Sequence, residues 1–148
     1  LEFGRVLFRS MEKGFKPSGS ASGWQLSTPP LMLLAALYAS LDLFDQAGIE
    51  NLHAKRTRLN EYLWFVLGKV TNGSRQRYIK VITPDHPASR GAQVSLLVPG
   101  KGKLLHTKLM EKGIIVDYRE PDVVRLAPVP FYNTYEEVYR FGEVLSHI

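Results

Sequence analysis

The chain has 148 residues, 45% of them hydrophobic, enough for one domain with a real core. Its formal charge of +5 arises from Lys and Arg scattered among Asp and Glu, a pattern that suits anionic small molecules and argues against a nucleic-acid footprint. No apolar run approaches the ~20 residues of a membrane span, no signal-peptide pattern is present, and the lack of cysteine excludes disulfides and thiolate metal sites, so a cytoplasmic protein without a membrane partner is expected.

Residues 1–10, LEFGRVLFRS, match the translation of a common sequencing adapter with Gly4 as the only departure, and are expected to contribute nothing to the fold. Met11 need not be a start codon. The stretch from Glu12 to Gly23 is rich in Gly and Ser and reads as a loop. A helix is predicted next in WQLSTPPLMLLAALYASLDLF, with Ser27 or Thr28 as cap and Pro29 at the first helical position. Its apolar residues keep to no single stripe, so it is expected to pack against something outside this chain. Trp24 reads as a core or interface anchor.

A second helix follows Gly48, with Leu52, Leu59, Leu63, Val66 and Val70 as its seam and Lys55, Arg56, Arg58 and Glu61 outward, closed by TNGS. YIKVITP and AQVSLLVP predict strands, and KGKLLHTKLMEKG a short amphipathic helix with Gly113 beyond its end. IIVDY and VVRLAPV predict two more strands around a REPD turn. Thr134 and Glu137 then form the T-x-x-E pattern of a capping box that opens a last helix. The whole predicts an α+β layer, a small sheet of about four strands with helices on one face.

Few residues carry chemistry. The four histidines, His53, His86, His106 and His147, lack metal-ligand spacing, so no metal site is expected. GKGK at Gly100–Lys103 is only half a phosphate loop and reads as the opening of a helix. Arg125, alone in the apolar run VVRLAPVPFYN, has two readings. It is an edge-strand arginine paired with Asp117 or Glu120 across the hairpin, or its planar fork grips a carboxylate. STPP likewise serves either as a plain cap or as an anion site. Pro29 and Pro30 lack N–H groups, so an anion there would rest on the Thr28 hydroxyl and amide.

The strings GWQLSTPP, SRGAQVSL and RLAPVPFYN occur in that order, and from about Met11 to the end the sequence resembles the C-terminal third of the kynureninases. These are aspartate-aminotransferase-like enzymes of pyridoxal-phosphate fold type I, homodimers with a large cofactor domain and a C-terminal small domain. The resemblance implies hydrolysis of L-kynurenine or 3-hydroxy-L-kynurenine to L-alanine and anthranilate or 3-hydroxyanthranilate, within tryptophan catabolism and NAD biosynthesis. It makes Arg125 the ligand of the substrate α-carboxylate, Ser27 a residue facing the substrate, and Thr28 a contact of the cofactor phosphate. The Schiff-base lysine would lie upstream; Lys13 and Lys16 sit in no matching motif, so no catalytic residue is assigned and the chain alone is expected to be inactive. The implied layout is 1–10 adapter-derived, 11–47 a loop and an interdomain or dimer-interface helix, and 48–148 the small domain. The alternative is a free-standing α+β domain that binds an anionic metabolite.

Overall fold

A computed structural model of the chain describes residues 19–24, 27, 29–72 and 78–148. Residues 1–10, Thr28 and the second half of the TNGS turn lie outside them. The chain divides into two units, the first ending at Gln46 and the second Ala47–Ile148.

In the first unit a 3-10 turn, Ala21–Trp24, precedes helix α1, Leu31–Ala47. Pro29 does not take the first helical position as the sequence suggested. It is itself followed by a proline, which disfavours helical backbone in the residue before it. The helix starts at Leu31 instead, and the Pro30 carbonyl accepts its first bond from Leu34 N–H at 3.1 Å. No residue of α1 is buried, and Leu31, Met32, Leu33, Leu37, Tyr38 and Phe44 are all exposed. Trp24, at 88% exposure, anchors no core among the described residues.

The second unit runs α2 (Ile49–Thr71), β1 (Lys80–Val81), β2 (Val94–Leu97), α3 (Gly102–Glu111), β3 (Asp117–Arg119), β4 (Val123–Leu126) and α4 (Tyr135–His147). The strands form one sheet in the order β1-β2-β4-β3, antiparallel throughout. Val94 and Leu96 of β2 and Val124 and Leu126 of β4 point to one face and are buried. There they meet Leu59, Leu63 and Leu67 of α2, Leu105 and Leu109 of α3, and Val138, Phe141 and Leu145 of α4. All three helices therefore serve a single core on one side of the sheet. The buried seam of α2 is tighter than its sequence pattern, since Leu52 and Val70 are only half-buried. No described helix is by itself long and apolar enough to cross a membrane.

Local chemistry sets the boundaries. The Thr134 side chain accepts from Glu137 N–H at 3.2 Å, and the Glu137 carboxylate accepts from Thr134 N–H at 2.8 Å, completing the capping box of α4. At the end of α3, Gly113 takes φ 75°, its N–H reaches Met110 O at 3.0 Å, and Ile114 N–H reaches Leu109 O at 2.9 Å. That two-bond closure needs a left-handed residue, which glycine supplies without strain. It also takes the first residue of the predicted third strand. With Ile114 N–H committed to the helix end, IIVDY pairs only from Asp117 onward. β4 stops at Leu126, two residues before Pro128, which has no N–H for a ladder. One polar core residue had no sequence signal: Asn60, buried on α2, donates to Ala92 O at 3.0 Å and ties the helix to the segment that enters β2.

Candidate functional site

Alternation along the strands leaves one face of the sheet free of the helices that fill the other. Lys80, Leu97, Val123 and Arg119 form one row across it, and Ser95, Arg125 and Asp117 form the next. Three cations against one carboxylate leave this face with a net charge of +2. β4 is not an edge strand, as one reading of the sequence had it. It lies between β2 and β3, because the β3–β4 hairpin folds inward and β4 pairs with β2. Arg125 therefore stands in the middle of the sheet, with Ser95 opposite on one side and Asp117 on the other.

The Arg125 guanidinium meets Asp117. Its Nε donates to Asp117 Oδ2 at 2.5 Å, and Nη2 forms an ion pair with the same oxygen. Arg119 Nε donates to that oxygen as well, at 3.0 Å. The hydrogen bond from Arg125 is the largest influence and holds the Asp117 carboxyl below its ordinary pKa, outweighing the opposing effect of burial, with the charge of Arg119 adding to it. The side chains are 30% and 48% exposed, so water and an incoming solute both reach the pair. Of the two partners the sequence offered, Asp117 is the one engaged; Glu120 lies exposed in the turn.

The loop after β4 is fixed by Asn133. Its Oδ1 accepts Val129 N–H at 2.7 Å, its Nδ2 donates to Glu137 Oε2 at 3.2 Å, and Lys55 Nζ donates to Pro130 O at 2.6 Å. The APVPFYN segment is thus pinned both to α4 and to α2. The Asn133 and Thr134 contacts together hold the Glu137 carboxyl below its ordinary pKa, the Thr134 backbone bond contributing most.

Ser27 is exposed in the first unit, ahead of α1, and Thr28 falls outside the described residues. The structure thus brings Arg125 together with Asp117, which the sequence offered as a partner, and with Arg119 and Ser95, which it did not. The period-2 alternation of β2 and β4 was a usable signal for Ser95. A cleft of about 310 Å³ on the helical side, between Leu63, Leu126, Glu137 and Arg140, contains none of the expected site residues. Among the described residues no cluster of three or more His, Asp or Glu could hold a metal ion.

The profile of the kynureninase C-terminal domain matches residues 52–145. The chain is 42% identical to the kynureninase of Flavobacterium johnsoniae over 136 residues, covering 92% of this chain and 32% of that protein. Against the kynureninase of Myxococcus xanthus it is 47% identical over 132 residues, 89% of this chain and 30% of the relative. Against that of Sclerotinia sclerotiorum it is 41% identical over 137 residues, 92% and 29% respectively. The chain spans about a third of the length of these relatives. Among solved structures it resembles the cystine C–S lyase C-DES in complex with its reaction product cysteine persulfide, with a TM-score of 0.68 at 23% identity over 94% of this chain and 36% of that one. A C-DES mutant carrying glycine linked to its PLP cofactor gives a TM-score of 0.65 at 20% identity, over 84% and 31%. The small antiparallel sheet backed by helices is thus the fold of the C-terminal domain of aminotransferase-like enzymes, and the chain belongs to the kynureninase C-terminal domain family.

Proposed function

We propose that the chain is the C-terminal region of a kynureninase, a homodimeric enzyme that uses pyridoxal 5'-phosphate to hydrolyse the Cβ–Cγ bond of L-kynurenine or its 3-hydroxy form. The products would be L-alanine and anthranilate or 3-hydroxyanthranilate. The lysine that holds the cofactor belongs to the part of the enzyme outside this chain. When bound, the cofactor supplies the electron sink, and this chain supplies orientation.

Two segments carry that role. Ser27 is exposed before α1, and Pro29 and Pro30 contribute no N–H at this helix start. By the family resemblance Thr28, through its hydroxyl and amide, takes one oxygen of the cofactor phosphate, and Ser27 faces the substrate. Arg125 binds the substrate α-carboxylate. The observation that carries the reading is its position: a half-exposed guanidinium on a central strand, on a face with net positive charge that the helices leave open. A carboxylate held there through two parallel N–H bonds has its Cα fixed in one orientation.

The test is Arg125→Lys in the complete enzyme that carries this chain. The charge stays but the fork is lost. A charge-assisted two-pronged contact contributes about 2–4 kcal/mol, so kcat/KM for L-kynurenine is expected to fall roughly thirty- to a thousand-fold. The cofactor absorbance should be retained. Unchanged kinetics would reduce Arg125 to a surface ion pair.

A further inference from the structure

Asp117 takes hold of Arg125 in a particular way. Its Oδ2 receives both Nε and Nη2, which are the two donors along one side of the guanidinium plane. The end of the fork, Nη1 together with the second hydrogen of Nη2, has no hydrogen-bond partner among the described residues. Arginine has five N–H donors in a rigid plane, so engaging one edge fixes the direction of the other. The same Oδ2 accepts Arg119 Nε at 3.0 Å, which holds the aspartate from a second direction. Both contacts arise from backbone register, since Asp117 lies directly opposite Arg125 and Arg119 is the next residue on the same face of β3. The two arginines and one carboxylate leave this trio with a single net positive charge, enough for one incoming anion.

We propose that Asp117 is the positioning residue of this site: by occupying the Nε edge of Arg125 it sets the guanidinium plane and presents the Nη1–Nη2 edge to the substrate carboxylate. This rests on the reading that Arg125 binds that carboxylate. Asp117 itself does not touch substrate and is not displaced by it. Its contribution is geometric, so a neutral oxygen at the same place replaces it, while a misplaced charge does not.

The experiment uses the complete enzyme and the variants Asp117→Asn, Asp117→Glu, Asp117→Ala and Arg125→Ala. It measures kcat and KM for L-kynurenine, cofactor absorbance, and the inhibition constant of an amine analogue lacking the α-carboxylate. Asp117→Ala is expected to raise KM about tenfold, because the freed guanidinium loses its orientation. Asp117→Glu keeps the charge but moves the oxygen by a methylene, and raises KM several-fold. Asp117→Asn, whose amide oxygen still accepts from Nε and Nη2, stays within about threefold of wild type. The analogue binds all the Asp117 variants alike. If Arg125→Ala raises KM but Asp117→Ala leaves it unchanged or lowers it, the positioning role is overturned. Equal losses in Asp117→Asn and Asp117→Ala overturn it too, by making charge the cause. If Arg125→Ala itself leaves KM unchanged, the carboxylate-docking reading beneath it fails first.

Discussion

The backbone of Asp122 stands 2.6 Å from where a Cβ on Gly102 would lie, so the β3–β4 turn and the first turn of α3 touch main chain to main chain. Asp122 uses that closeness: its carboxylate accepts Gly100 N–H at 2.8 Å and Gly102 N–H at 3.3 Å, and its carbonyl accepts Val98 N–H at 2.9 Å. An acceptor from the hairpin thus satisfies the donors that a helix start leaves over. Gly102→Ala is expected to destabilise the domain by about 1–3 kcal/mol, because backbone cannot swing aside as a side chain can. Gly91→Ala, with nothing within 4 Å of the added methyl, should be close to neutral. Chemical denaturation of both variants makes the comparison; similar midpoints would contradict the close approach.

Thr134→Ala removes the acceptor of the capping box and should cost about 1 kcal/mol, lowering Tm by about 4 °C.

Acid should weaken the same box. The Glu137 carboxyl is held below its ordinary value of 4.5 in the folded chain, so its contribution is complete above that value and is lost as pH falls through the lower folded value. Asp117, also lowered, adds a change of the same sign in the neighbouring range. Glu137→Gln is expected to be less stable than wild type at pH 7 and to match it once the wild-type carboxyl is protonated. Thermal melts from pH 7 down to about pH 3 would show the curves converging; a constant offset would mean the charge is irrelevant.

Leu109→Ala should cost about 2–5 kcal/mol, since the side chain is fully buried against the sheet at the end of α3. Leu41→Ala on α1 should cost less than about 0.5 kcal/mol in this chain, because the side chain is half in solvent. Denaturant midpoints of the two variants settle the contrast.

The isolated chain is expected to self-associate through α1, whose exposed leucines and aromatics leave a contiguous apolar surface in water. Sedimentation velocity should report concentration-dependent association, and the triple variant Leu33→Lys, Leu37→Lys, Leu41→Lys should abolish it. A monomeric wild-type chain at high concentration would contradict this.

What was legible in the sequence was what is decided locally. The capping box of Thr134 and Glu137, the glycine beyond α3 and the middle of the apolar seam of α2 each depend on residues three to seven apart and are found where the pattern put them, while Leu52 and Val70 at the ends of that seam are only half-buried. Strand extents were less legible, because pairing depends on partners far along the chain. The bond from Ile114 N–H to Leu109 O takes Ile114 out of a run that has every appearance of strand, and β3 begins only at Asp117. The central place of β4 was hidden for the same reason: nothing near Arg125 reveals that β2 pairs on its other side. The choice of Asp117 over Glu120 followed from register alone. Roles for Ser27 and Thr28 came from family resemblance, since a Ser-Thr pair before prolines is equally an ordinary helix start.

The central position of β4 also bears on how the domain comes apart. An inner strand is protected on both sides, and its amides exchange with solvent only when the whole domain opens, whereas chain ends and edge strands open at much lower free energy. Arg125 is mounted on that inner strand, so its direction is as durable as the domain itself. Partial fraying near β1 or the end of α4 would leave the arginine in register. The orientation of Arg125 should therefore persist under heat or denaturant up to the global transition of the domain, and then be lost with it in a single step.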